Sequence, residues 1–225
     1  MIRRFAVGMV ILVSCPARAE TPMREISKGC FQIGEVRLDK GARTVSFDGE
    51  VNMKGGPIEY LLVTDGGKTH ESLLTTRIDP SDLHVSMLLV GASDSGRVTA
   101  PPPMRVTGES LKKVAKLRGT NIDVLVCWTI GSAQQEMRVE DMILRNDGVV
   151  ERGPWLYTGS VIYDGRFLAR TEGSLISLIT DPAALVNNPR PGADNDQIWS
   201  VRSSKVPAVG TAVEITLRLT GTSPR

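Results

Sequence analysis

Ile58-Glu-Tyr-Leu-Leu-Val-Thr64 and Lys68-Thr-His-Glu-Ser-Leu-Leu74, on either side of Asp65-Gly66-Gly67, decide how this chain is read. Two apolar runs around residues that tolerate positive φ predict a β-hairpin. The chain then meets Asp79-Pro80, a helix start in which Asp79 caps, Pro80 takes the first helical position and Asp82 favours the positive N-terminus. Leu83, Met87, Leu88 and Val90 supply a buried side, and Gly91 ends the helix. Upstream, Gly34-Glu-Val-Arg-Leu-Asp39 and Thr44-Val-Ser-Phe-Asp-Gly-Glu-Val51 alternate in polarity around Lys40-Gly41-Ala42, a further hairpin. Downstream come an extended proline run, Ala100-Pro-Pro-Pro-Met104, a short helix over Glu109–Leu117, and a strand over Ile122–Ile130. The fold class expected is α+β and β-rich.

The second half repeats this grammar. Ser72 to Leu83 aligns without gaps on Ser174 to Leu185, each copy running a strand into Asp-Pro (Asp79-Pro80, Asp181-Pro182). Each is preceded by Gly-Pro (Gly56-Pro57, Gly153-Pro154) and Asp-Gly (Asp65-Gly66, Asp164-Gly165), and Gly119-Thr-Asn-Ile-Asp-Val124 matches Gly210-Thr-Ala-Val-Glu-Ile215. An internal duplication of a hairpin–helix–strand unit accounts for the shared order; convergent turn chemistry accounts for each match singly. The divisions expected are a leader over 1–19, an N-terminal segment over 20–32, and β-rich units over 33–132 and 133–225.

Residues 1–19 carry Arg3 and Arg4, an apolar run from Phe5 to Val13, and Ala17-Arg18-Ala19, the pattern of a signal peptide cleaved before Glu20. The competing reading acylates Cys15 within Leu12-Val-Ser-Cys15 and leaves the protein lipid-anchored. Either places the protein outside the cytoplasmic membrane, periplasmic in the first case, with no transmembrane segment in the mature chain. The formal charge is +2 over 225 residues, and losing the three arginines of the leader takes it to −1, which argues against nucleic acid as a partner. At 41% hydrophobic and 23% charged the chain is globular. In an oxidising compartment Cys30 and Cys127 have the option of pairing; the other reading of Cys127 is a buried thiol in a strand.

From Gly56 through Leu74, with Asp82-Leu-His84, the chain resembles the YdjY-like family of exported bacterial proteins. Asp164-Gly-Arg-Phe-Leu168, Asp181-Pro-Ala-Ala-Leu-Val-Asn-Asn-Pro189, Asp196-Gln-Ile-Trp199 and Gly210-Thr-Ala-Val213 extend the resemblance over most of residues 33–220. What it implies about function is modest, since the family is essentially uncharacterised. Some members are labelled as associated with iron–sulfur proteins, but three cysteines and no CxxC leave this chain without a four-cysteine ligand set.

The chemistry to weigh sits in the two histidines. His70 and His84 fall within one hairpin–helix unit, and with Glu71 and Glu59 they make a candidate set for a divalent metal. Adjacent strand residues point to opposite faces, so His70 and Glu71 join one site only if the strand is bulged. The alternatives are acid–base chemistry or plain packing and solvent contact. Asp194-Asn195-Asp196 offers oxygen ligands for calcium or a solvated turn, and Lys112, Lys113, Lys116 and Arg118 form a basic face suited to lipid headgroups or water. No nucleophile-elbow or phosphate-loop sequence occurs. The function expected is an exported cell-envelope binding or accessory module, with an envelope protein or small ligand as partner. A metal-binding envelope protein using His70 and His84, with a redox association as an option, is the alternative; a structural protein docking a partner through strand edges or Trp155 and Trp199 is a third reading.

Overall fold

The computed structural model describes residues 21–93 and 118–221. The leader, Cys15, the proline run at 100–104, Lys112, Lys113, Lys116 and the helix expected over 109–117 lie outside the described residues. In chain order the strands are β1 (Met23–Ser27), β2 (Cys30–Ile33), β3 (Val36–Asp39), β4 (Thr44–Val51), β5 (Tyr60–Thr64), β6 (Ser72–Thr76), β7 (Thr120–Ile130), β8 (Ala133–Arg138), β9 (Ile143–Arg145), β10 (Gly148–Val149), β11 (Trp155–Tyr157), β12 (Ile162–Tyr163), β13 (Arg166–Phe167), β14 (Ser174–Ser177), β15 (Val186–Asn187), β16 (Trp199–Val201) and β17 (Ala212–Leu219). Among the described residues two α-helices join them, α1 (Pro80–Leu89) and α2 (Leu168–Glu172). The chain is therefore β-rich with little helix, and no helix among the described residues is long and apolar enough to cross a membrane.

Alternation builds the strands. In β4 Val45, Phe47 and Val51 are buried between more exposed neighbours, and β17 buries Val213, Ile215, Leu217 and Leu219 in the same period of two. These strands pair antiparallel from Ala212↔Glu50 to Arg218↔Thr44, and β17 pairs on its other edge with β7. The order then runs β7-β11-β15-β14-β5-β6, and β6 returns to β4 through Glu50↔Thr75 and Val51↔Leu74. Strands β4, β17, β7, β11, β15, β14, β5 and β6 thus close into a ring. An eight-stranded ring is just wide enough for side chains to fill it, and Phe47, Leu62, Leu74, Trp155, Tyr157 and Ile215, each at most 1% exposed, belong to that filling. The outer strands β1-β2-β3 continue from the first half of β4, and β8 pairs the far half of β7. Helix α1 packs on β3 and β4, while its His84 reaches Tyr157 of β11, so α1 spans one mouth of the ring.

Two expectations change. The hairpin at 40–42 forms as read, but β5 and β6 pair in parallel, Tyr60↔Ser72 to Thr64↔Thr76. Residues 65–71, ending in a 3₁₀ turn over Thr69–Glu71, carry the chain back along β5. Seven residues span up to roughly 23 Å, more than the roughly 17 Å of a five-residue strand.

The helix after Asp79 forms, with Asp79 accepting from the Ser81 N–H at 2.8 Å. Asp181 makes the same local cap, accepting from Ala183 N–H at 2.9 Å, yet a turn and then β15 follow instead of a helix. Across the divisions drawn at 33–132 and 133–225 strands pair in one sheet: β17 lies between β4 and β7, and β14 lies against β5. Cys30 on β2 and Cys127 on β7 are both free thiols. Four strand spacings divide them, roughly 19 Å, far beyond the reach of a disulfide.

Candidate functional site

His70 stands on the 3₁₀ turn with its side chain 78% exposed, Nε2 lying 3.7 Å from Glu71 Oε2. Glu59 joins that turn through its backbone, its N–H donating to the Glu71 carbonyl at 2.9 Å. His84 is elsewhere. It is 5% exposed, shares a 2.6 Å hydrogen bond between Nδ1 and the Tyr157 hydroxyl, and packs on Phe167 with ring centroids 5.1 Å apart. So His70 and Glu71 stand side by side on the turn, Glu59 meets it through its backbone only, and His84 does not join them: on α1 it is a joint to the wall of the ring. Among the described residues no group of three or more His, Cys, Asp or Glu is placed to hold a metal ion.

Asn195 closes its own loop, its side-chain oxygen accepting from the Gln197 N–H at 2.9 Å. Asp194 and Asp196 face a small hollow beside Ile179, Thr180 and Ala193. The two tryptophans expected as docking surfaces are interior. Trp155 is 0% exposed beneath the Arg190 guanidinium, 4.9 Å away, and Trp199 is 1% exposed with its indole N–H donating to the Gly192 carbonyl at 3.2 Å.

The cluster that sequence reasoning missed lies where two crossovers meet. Residues 65–71 connect the parallel pair β5 and β6, and residues 178–185 connect the parallel pair β14 and β15. Between them Lys68 Nζ donates to Tyr60 Oη at 2.7 Å, and Tyr60 donates to Asp181 Oδ2 at 3.0 Å. The ammonium also lies 4.8 Å from the centre of the Tyr60 ring. Burial, reinforced by the Asp181 charge, pushes the Tyr60 hydroxyl well above the ordinary phenol range, so it stays a neutral donor. Asp181 is held from behind: its N–H donates to Asn187 Oδ1, and Asn187 donates to Thr158. The available signal was Tyr60 itself, because a tyrosine inside a continuous apolar run needs a partner for its hydroxyl.

A second missed cluster locks the opposite part of the wall. Glu140, 0% exposed, accepts from Arg138 at 3.0 Å, Arg190 at 3.0 Å and the Gly153 N–H at 3.1 Å. Arg138 also donates to Asp123 at 2.8 Å, and those two acids raise its pKa above the ordinary guanidinium value. Burial lowers that of Arg190, opposed by Glu140. Fifty residues separate Glu140 from Arg190, so no local pattern announces the pair.

The blocks around Gly56–Leu74 and Asp181–Pro189 thus touch through three side chains. A family model for the YdjY domain matches residues 36–218, most of the chain. No curated protein and no solved structure gives a match.

Proposed function

The chain belongs to the YdjY domain family, and from that premise we propose that it is an exported cell-envelope binding module whose ligand-facing group is the Lys68 ammonium. The observation that carries this reading is the mounting of Lys68. One of its three N–H donors is bound to Tyr60, which is itself anchored on Asp181, and the ammonium sits half-buried with no further hydrogen-bond partner among the described residues. A cation fixed in this way loses little side-chain freedom when it meets an anionic group, which favours binding over a freely moving surface lysine.

Export is tested by intact-mass analysis of protein from the periplasmic fraction. A chain starting at Glu20 supports the soluble form, and a mass matching diacylated Cys15 supports the anchored one. Binding is tested by thermal shift with inorganic phosphate and acetate against chloride at equal ionic strength. Stabilisation of wild type but not of Lys68→Met is expected; equal shifts in both proteins would overturn the assignment to Lys68.

A further inference from the structure

Strand β8 is a bare edge. It follows β7 through a two-residue turn in which Gly131 supplies the positive φ, 61°, that a II′ hairpin demands at its first central position. All six pairs from Ile130↔Ala133 to Leu125↔Arg138 are in unbroken register, and Ala133 to Glu136 are exposed. Among the described residues β8 pairs with β7 alone. Sheet edges are ordinarily blunted by a bulge, a proline or an outward lysine. The other exposed edge, β1, has its bulge between Glu25 and Ser27. β8 has no bulge, proline or lysine; of its two charges, Arg138 is turned to Asp123 and Glu140, and Glu136 is exposed with one carboxylate oxygen 3.6 Å from Cys127 Sγ on β7.

We propose that this edge is where two copies of the chain join, β8 against β8 antiparallel about a two-fold axis at Gln135. The alternation of the ladder selects that register. A two-residue turn closes on a hydrogen-bonded pair, so Ala133, Gln135 and Met137 direct their backbone groups to β7. Gln134 and Glu136 therefore direct theirs outward. An axis at Gln135 sets Gln134 opposite the partner's Glu136 and Glu136 opposite the partner's Gln134, both outward-bonded, giving four backbone hydrogen bonds. The side chains agree with the backbone: each Gln134 amide donates to a Glu136 carboxylate across the axis, twice by symmetry. An axis at Glu136 would oppose two carboxylates instead. Two short strands bury less than the roughly 1,200 Å² of a standard stable interface, so the dimer is a weak one whose population rises with concentration. None of this depends on the assignment of Lys68.

Sedimentation velocity of the chain from residue 20 onward, between about 1 and 100 µM, tests it. Wild type should pass from monomer to dimer. Gln134→Pro removes an outward N–H that β7 does not use and should leave a monomer with unchanged melting. Two further variants read the register with opposite signs. Gln134→Lys, facing the partner's Glu136, should tighten the dimer by about tenfold at low salt, and Gln134→Glu should weaken it by about as much. A monomer throughout, which would leave the edge to a strand of another protein, or a dimer indifferent to both charge changes, overturns the proposal.

Discussion

Cys127 holds its proton unusually hard. Burial, with the Glu136 carboxylate 3.6 Å from its sulfur, pushes the thiol up to about 11. At pH 8 its thiolate population falls about 100-fold below that of an unperturbed cysteine, so alkylation by iodoacetamide should be slower in proportion, and peptide mapping would check this. The stability sign follows from the same shift: the folded chain keeps a proton that the unfolded chain releases near 9. The thiol therefore costs nothing below that pH, and stability declines as pH rises from there towards 11. His84 makes a second prediction at this scale. His84→Ala removes the 2.6 Å bond to Tyr157 and the packing on Phe167, a loss of about 2–4 kcal/mol. A chelator should leave the wild-type melting temperature unchanged; a drop on chelation, abolished in His84→Ala, would reinstate a metal role for that ring. Sequence reading placed His84 correctly on α1, and of the two readings it left open for Cys127 the buried thiol is the one found. It missed the tyrosines that give Lys68 and His84 their partners, because those contacts join residues on strands whose pairing is non-local.

At the scale of elements, the same cap has two outcomes. Asp79 and Asp181 each accept the backbone N–H two residues on, and only Asp79 is followed by a helix. The difference lies in what comes next. After Asp79, Leu83 and Met87 are buried on one side of a full helix, whereas after Asp181 residues 183–188 are buried throughout and β15 pairs with β14 and β11. A cap starts a helix but packing decides whether it continues. Asp79→Ala should cost about 0.5–2 kcal/mol. Asp181→Ala loses a similar turn contact and also leaves the buried Tyr60 O–H without its acceptor, so it should cost about 1–3 kcal/mol more. Denaturant melts that rank Asp79→Ala as the more damaging would refute this account. The parallel pairing of β5 and β6 was legible in part, since Tyr60–Val63 is a continuous apolar run of the kind that strands buried on both faces show. Asp65-Gly66-Gly67 outweighed it because those residues serve a tight crossover as readily as a hairpin.

At the scale of the molecule, ring closure rests on a residue with no side chain. Strand β4 must meet β17 on one edge and, four residues after β3 leaves it at Ser46, β6 on the other at Glu50, and the Thr76 hydroxyl bonds the Asp48 carbonyl between them at 2.6 Å. At Gly49 an added Cβ would lie 2.8 Å from the Thr75 carbonyl oxygen and 2.5 Å from Ile215 Cδ1. One neighbour is backbone and the other is a core side chain at 0% exposure, so neither yields cheaply. Individual strands were readable from alternation, but Gly49 gave no sign as a turn or a cap. Its role exists only once residues from positions 49, 75 and 215 converge. Gly49→Ala should therefore cost about 1–3 kcal/mol by overpacking. Gly66→Ala is the matched control, since nothing lies within 4 Å of its added Cβ and its φ is not positive. That change should be neutral or stabilise by about 0.4–1 kcal/mol through the unfolded chain. Urea unfolding of the two variants side by side separates closure from a general intolerance of substitution. If Gly49→Ala unfolds at the same midpoint as Gly66→Ala, β4 and β6 do not press together as closely as a closed ring requires.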